Sequence, residues 1–381
     1  MKVGIFGIGA CGSNIAELGD KKGYTTAIMN TSQEDLDSIS LVKNKLLLGE
    51  QGGCGKDRAI GKSEVKSHYK SIIQFVKTKF YDCDIIYITF SSGGGTGSGM
   101  SPIIIDMLTK MIPDKKFAAI AVIPALSETP VAQFNTYECL EELSSIDVPT
   151  LIVDNEKFKE HKSKMSKADL YNGVNSHVIA SLDVVYNRER KSSKYGNMDS
   201  KDLSKLMFTP GCMSITVTVM NQINDSETIA EALDSSWNSS IFASLQYDKV
   251  IKRSGYIFEL QEEATKFIDY DIFHKNIGQP IETFEGYYSA DDNKNYIVSI
   301  LTGLSFPEDR LKLVMDSVES AKGKFKKREK ISLFNDEDVN IDWFKEERKE
   351  VKKTKPSIFG GNDDSEVKSE DIDLEALFSN Y

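Results

Sequence analysis

Short apolar runs recur through the first 155 residues: VGIF (3–6), TTAIM (25–29), KLLL (45–48), DIIYITF (84–90), FAAIAVI (117–123) and VPTLIV (148–153). Between most of them lie segments of helical period, such as SPIIIDMLTKMI and TPVAQFNTYECLEELSSI. Continuous apolar runs alternating with helical patterns predict parallel strands covered by helices on both faces. In KADLYNGVNSHVIASLDVVYNRER (167–190), Leu170, Val174, Val178, Leu182 and Val185 fall at three- and four-residue spacing, which predicts one long helix. Beyond it the texture changes. MSITVTVM, KVIKRSGYIFEL and NYIVSILTG read as strands, and FPEDRLKLVMDSVESAKGKF as an amphipathic helix opened by Pro307.

The expected fold class is therefore α/β. A parallel-sheet domain (1–166) is joined by a central helix (167–190) to a smaller α+β domain with its own core (191–325). From 326 to 381 the chain reads as a tail, helical at most around Trp343: KKREK and KEERKEVKKTK are charge runs, and the last twenty residues hold seven acids against one lysine.

Composition narrows the class. Forty per cent hydrophobic and 28% charged residues suit a soluble globular protein, and a formal charge of −11 disfavours non-specific nucleic-acid binding. Five cysteines without CxxC spacing argue against zinc or a disulfide framework and for a reducing cytoplasm. The four histidines have no metal spacing, so no metal-ligating side chains are expected. The N-terminus reads as a strand, not a signal peptide, and no apolar run approaches the ~20 residues of a membrane span.

The chemistry lies in the loops that leave the strands. Four of them, GIGACGSN (7–14), NTSQED (30–35), EQGGCGKDR (50–58) and SGGGTGSG (92–99), are rich in glycine or small polar residues. Glycine adds nothing to a core, so such loops imply close approach of the backbone to a ligand. Several converging on one rim suggest a polyphosphate cradle of peptide N–H groups and helix N-termini. Thr96 and Ser98 add hydroxyls at a helix start, as caps, as phosphate contacts, or as both. GIGACG alone also fits a dinucleotide oxidoreductase. The second strand, however, ends in Asn30-Thr31, not in the acid that would hold ribose hydroxyls. GKDRAIGKS (55–63) has one residue too many for a P-loop and reads as loop and helix start, from which Lys56 or Arg58 approaches a phosphate.

SGGGTGSG resembles the signature loop of the tubulin/FtsZ family, GGGTG[TS]G, with every defining position filled. The N-terminal glycine loop, the Asn-Thr after the second strand, the third loop and VDNEKF (153–158) match in order. The resemblance implies GTP or GDP as ligand, with Mg2+. It places Gly9, Ala10, Cys11 and Asn14 of the first loop, Asn30 of the second, and Gly53, Cys54, Gly55 and Lys56 of the third around the nucleotide. Gly93, Gly94, Gly95, Thr96, Gly97 and Ser98 join them from the fourth. It also implies base contacts from Asn155 and Asn175. PALSETPVAQF departs from the form usual in bacterial cell-division members, which leaves Glu128 or Glu138 for the ribose. The GGCGKDR loop and the charged tail look most like the TubZ/PhuZ branch carried by plasmids and phages.

YGNMDSKDLSKLM (195–207) carries two readings. Asp199 and Asp202 share one helical turn, as a cap or as carboxylates that orient a water. The resemblance implies the second. NMDSKDL is similar to the family's N-x-D-x-x-D loop, in which Asn197, Asp199 and Asp202 reach the nucleotide of the adjacent subunit. The expected protein is then a cytoplasmic GTPase that stacks head to tail into filaments and serves plasmid or phage DNA segregation. A non-polymerising regulator of the same fold is the alternative. Leu374, Leu377, Phe378 and Tyr381, among acids, form either a solubilising end or a docking motif for the adjacent subunit, a DNA-bound adaptor or a cargo.

Overall fold

The computed structural model describes residues 1–49, 52–161, 164–187, 196–242, 251–290 and 294–329. The tail beyond 329, Trp343 included, and the stretch 188–195 lie outside the described residues.

The nucleotide-half elements follow the expected alternation: β1 (Val3–Ile8), α1 (Gly9–Lys21), β2 (Thr25–Asn30), α2 (Gln33–Ser38), β3 (Lys45–Leu47), α3 (Arg58–Lys79) and β4 (Ile85–Ser91). They continue with α4 (Thr96–Met111), β5 (Lys116–Ile123), α5 (Pro130–Ser144), β6 (Pro149–Asp154), α6 (Asn155–His161) and the long α7 (Lys167–Tyr186). Then come α8 (Ser200–Met207), β7 (Gly211–Met220), α9 (Ser226–Asn238), β8 (Arg253–Leu260), α10 (Tyr270–Phe273), β9 (Glu282–Ser289), β10 (Asn295–Leu304) and α11 (Glu308–Glu329).

The ten strands of the described residues form one sheet in the order β3-β2-β1-β4-β5-β6-β7-β10-β8-β9. Pairing is parallel from β3 through β6, and β6 meets β7 in parallel at Pro149↔Gly211 and Thr150↔Cys212. Only β7–β10 and β10–β8 are antiparallel; β8–β9 is parallel again, with Gly286 opposite Ile257. The strands of the first half are buried on both faces, which is why they read as unbroken apolar runs and not as alternation. The α/β class expected from the sequence is the one observed.

One core cluster runs under α1 and α7 and continues through Leu206, Met207, Ile257, Phe284 and Val298 beneath α8. A second, built on Trp237, Tyr256, Phe258 and Phe273, fills the space under α9 and α10. Residues 1–319 form one compact unit. Among the described residues no helix is long and apolar enough to cross a membrane.

Candidate functional site

The carboxyl ends of β1, β2, β4, β5 and β6 share one rim of the sheet, and the first, second and fourth loops leave it there, whereas Asn175 lies within α7. The first loop is a direct passage from β1 into α1 at Gly9, whose φ of +71° is a left-handed conformation. Gly12 lets α1 press against β4. A Cβ there would lie 2.0 Å from the Thr89 carbonyl oxygen, and the Thr89 hydroxyl donates back to the Gly12 carbonyl at 3.1 Å. Asn14 donates to the Ala10 carbonyl at 2.8 Å, closing the first turn of α1.

Side-chain caps divide the helix starts into two kinds, and α2, α3 and α5 at this rim are among the capped ones. Ser32, Asp57, Thr129, Ser166, Asp199, Asp225 and Asp269 cap α2, α3, α5, α7, α8, α9 and α10 with their side chains. The starts of α1 and α4, at Ile8 and Gly95, have no such cap. Their first-turn N–H groups lack intrahelical partners and sit where an anion would satisfy them. Ser98 does not cap α4; its hydroxyl donates to the Gly94 carbonyl. Thr96 instead meets Thr31, hydroxyl to hydroxyl at 2.9 Å, joining the second and fourth loops. Asn30 is 1% exposed and fixes the turn after β2 by accepting from the Thr31 N–H at 2.8 Å.

The third loop is packed onto the fourth. A Cβ on Gly95 would stand 2.8 Å from that of Cys54 and 2.9 Å from the Asp57 nitrogen. Gly53 and Gly55 take positive φ, and Lys56, at φ +68°, is the one non-glycine residue to do so among the described residues. That outlier marks the third loop as a strained segment held by its neighbours. The restraint comes from Asn135 of α5, which the sequence did not single out. Its buried amide donates to the carbonyls of Lys56 (3.0 Å), Gly93 (3.3 Å) and Gly94 (3.1 Å).

Arg58 also proves structural. Pro102 inside α4 lacks an N–H and so leaves the Ser98 carbonyl without its helical donor. The Arg58 guanidinium takes that carbonyl at 3.1 Å and binds Glu138 at 2.8 Å and Glu142 at 2.5 Å. Arg58 is only 5% exposed and committed to these partners, and Glu138 is committed with it. The phosphate approach expected of Arg58 and the ribose contact expected of Glu138 compete with this ion pair, which engages one oxygen of Glu138. Glu128 instead accepts from the Ala125 N–H at 3.2 Å and lies beside Cys11, Tyr171 and Lys167. Burial, and secondarily the Glu128 carboxylate, pushes the Cys11 thiol up to about 12. The first loop therefore presents a neutral thiol, not a thiolate, to an anion.

At the base end, Asn155 opens α6 at 4% exposure, and its Oδ1 has no hydrogen-bond partner among the described residues. A buried, unmatched acceptor of this kind invites a ligand N–H. Asn175, 6% exposed, belongs to α7, which packs on α6 closely enough that a Cβ on Gly173 would meet the Phe158 ring at 2.5 Å. The preceding residue, Asp154, is locked by Arg310 of α11 at 2.8 and 3.2 Å, and Arg310 also donates to the Pro124 carbonyl at 2.8 Å. Glu156 accepts from the Leu126 N–H at 2.7 Å, so the loops after β5 and β6 are tied together.

The acidic turn belongs to the other half of the sheet. Tyr195 lies outside the described residues; from Gly196 the chain runs into α8, which packs on β8 and β10. Asp199 accepts from the N–H groups of Lys201 (2.7 Å) and Asp202 (2.9 Å), while Asp202 accepts from the Asp199 N–H at 3.3 Å. This reciprocal capping box is the cap that the spacing offered. The N–H donors of Asp202 and Lys201 hold the exposed Asp199 carboxyl below its usual range, so it is ionised at neutral pH.

A parallel α/β sheet with glycine-rich loops at one rim, two helix starts without side-chain caps and an unmatched buried acceptor has the features of a polyphosphate cradle. Residues 2–162 match the Tubulin/FtsZ family, GTPase domain. The tubulin-like protein TubZ of Clostridium botulinum C phage is 28% identical over 332 residues, covering 85% of this chain and 84% of that protein. The tubulin-like protein CetZ of Pyrococcus abyssi is 25% identical over 376 residues, covering 89% and 97%. A GTPγS-form protofilament structure of Bacillus thuringiensis serovar israelensis TubZ shares the fold at a TM-score of 0.74 and 16% identity, covering 87% of this chain and 95% of that one.

Proposed function

We propose that this protein binds GTP at the rim and hydrolyses it to GDP and phosphate when the 195–203 loop of one subunit enters the rim of the next. Residues 1–166 then form the binding half, and 191–325 carry the completing loop. The observation that carries this reading is the division of labour between helix ends. Two helices leave their N-termini open on the rim, while the acidic turn is capped, exposed and set on the other half of the sheet. A site that supplies donors for phosphate but keeps its carboxylates elsewhere suits completion in trans. Such a contact is heterologous and does not close on itself, so it generates a filament.

Guanine is favoured by Asn155, since its pairing edge offers two adjacent donors, N1–H and N2–H, to the unmatched Oδ1. In this reading Gly9, Gly97 and the α4 start cradle phosphates, and Glu128, which lies beside Tyr171, takes the ribose hydroxyls. Among the described residues no cluster of three His, Cys, Asp or Glu could hold a metal. The hydroxyls of Thr31 and Thr96 fit a Mg2+ ion bound mainly through phosphates and water, and that ion would offset phosphate charge. In the neighbour's site Asp199 and Asp202 orient the attacking water and accept its proton, with Asn197 beside them.

The biological reading is a cytoplasmic, TubZ-like filament that moves or positions plasmid or phage DNA, with the acidic tail recruiting an adaptor or cargo. Electron microscopy and pelleting with GTP, GDP and GTPγS test assembly. Asp199→Ala and Asp202→Ala test the loop: both should assemble and bind GTP, yet hydrolyse it on the order of a hundredfold more slowly. Full-rate hydrolysis by a protein that stays monomeric would overturn the proposal.

A further inference from the structure

We propose that strand β9 is the bed that sets the acidic loop for catalysis, with Tyr288 and Gly286 as its positioning residues. The inference rests on the reading that this loop completes an adjacent subunit's site. β9 ends the sheet, pairing with β8 along one side. Its Glu282, Phe284, Gly286 and Tyr288 alternate onto one face, and each of the four meets the loop or α8. Glu282 reaches Lys205 of α8 at 3.5 Å, and the Lys205 ammonium lies 5.6 Å from the centre of the Phe284 ring. Tyr288 accepts a hydrogen bond from the Met198 N–H at 3.2 Å. Gly286 leaves the space for that contact: a Cβ there would fall 2.8 Å from the Met198 nitrogen and 2.8 Å from the Tyr288 ring. From the open side of β9, the Tyr287 N–H donates to the Gly196 carbonyl at 3.0 Å.

These two backbone bonds bracket Asn197 and end immediately before Asp199. The capping box orders Asp199 and Asp202 relative to α8 but does not orient the loop that precedes them. β9 supplies that frame. Carboxylates that must orient a water in a second molecule act only when their own backbone is held to a fraction of an ångström, on the order of 0.5 Å. A strand whose one face is shaped to the loop, through a glycine and a tyrosine two residues apart, provides that restraint.

The test uses the full-length chain, measuring GTP affinity, melting temperature and phosphate release per assembled subunit for Tyr288→Phe, Gly286→Ala and Asp199→Ala. Tyr288→Phe removes the hydroxyl that accepts from the Met198 N–H, and Gly286→Ala pushes a methyl group against Met198. Both should lower kcat about three- to tenfold, the rate equivalent of one neutral hydrogen bond, with GTP affinity unchanged. Tyr288→Phe should also keep the wild-type melting temperature. Unchanged kcat in both variants, alongside slowed hydrolysis in Asp199→Ala, would overturn the role of β9 and leave the trans site standing. Unchanged hydrolysis in Asp199→Ala would overturn the trans reading and this proposal with it. Loss of GTP affinity in step with kcat would also overturn it, because the effect would then belong to general stability.

Discussion

At the rim, the second, third and fourth loops are laced together by buried and part-buried bonds. Thr31 joins Thr96, Asn135 spans three carbonyls, Arg58 replaces the donor that Pro102 lacks, and Arg310 clamps the two strand ends at the base side. At the acidic turn, Asp199 is exposed and Asp202 half-buried, both are bonded mainly within their own four residues, and the loop is anchored to one edge strand. The first region is preorganised, and the second leaves Asp199 at the surface. Preorganisation requires buried polar groups that are matched; presentation requires that the reactive groups remain uncovered.

That contrast breaks most severely at Arg310. Arg310→Ala leaves Asp154, 2% exposed, without its cation, and should cost about 3–5 kcal/mol of stability by denaturant titration. A loss no larger than that of a surface substitution would mean that the rim is not held as described. Asn135→Ala should cost about 1–3 kcal/mol and weaken GTP binding roughly tenfold, measured by titration with fluorescent nucleotide. Affinity unchanged in that variant would show that the third and fourth loops hold themselves.

The smallest effect sharpens the other side. His274, buried beside Tyr256, Gln279 and Asp271 near the aromatic group behind β9, has its pKa lowered by desolvation. A base held neutral in the folded state adds stability above its unfolded pKa of about 6.5 and loses it as pH falls toward the folded value, because the unfolded chain takes up the proton first. His177, also lowered by burial, adds to the same slope. His274→Gln should flatten the decline between neutral and mildly acid pH, with no change in GTP affinity. A rim titrating in that range would instead shift affinity.

Much of the rim was legible in the chain because its signals are local. Glycine density, strand-then-helix order and the apolar runs stand within a few residues of each other, and β1 to β6 fall where those runs predict. The residues that hold the loops in place were not legible. Asn135 looks like any polar residue of an amphipathic helix, and Arg58 meets Glu138 and Glu142 across some eighty positions of sequence. β9 was missed for a different reason. ETFEGYYS mixes two glutamates and a glycine into an edge strand, so its pattern is too weak for strand period to show. The capping box at Asp199 could be read from spacing, but its second duty depends on a neighbouring molecule that no intramolecular pattern encodes.

The strand order carries a consequence for charge. From β1 to β9 the sheet takes seven steps, roughly 34 Å at the usual interstrand spacing. At physiological ionic strength the Debye length is about 8 Å. A lone subunit's Asp199 and Asp202 are thus electrically silent at its own rim. Under the proposed reading, added salt should change nucleotide capture by free subunits only through the rim's own charges, while altering the encounter that brings one molecule's acids to another's rim.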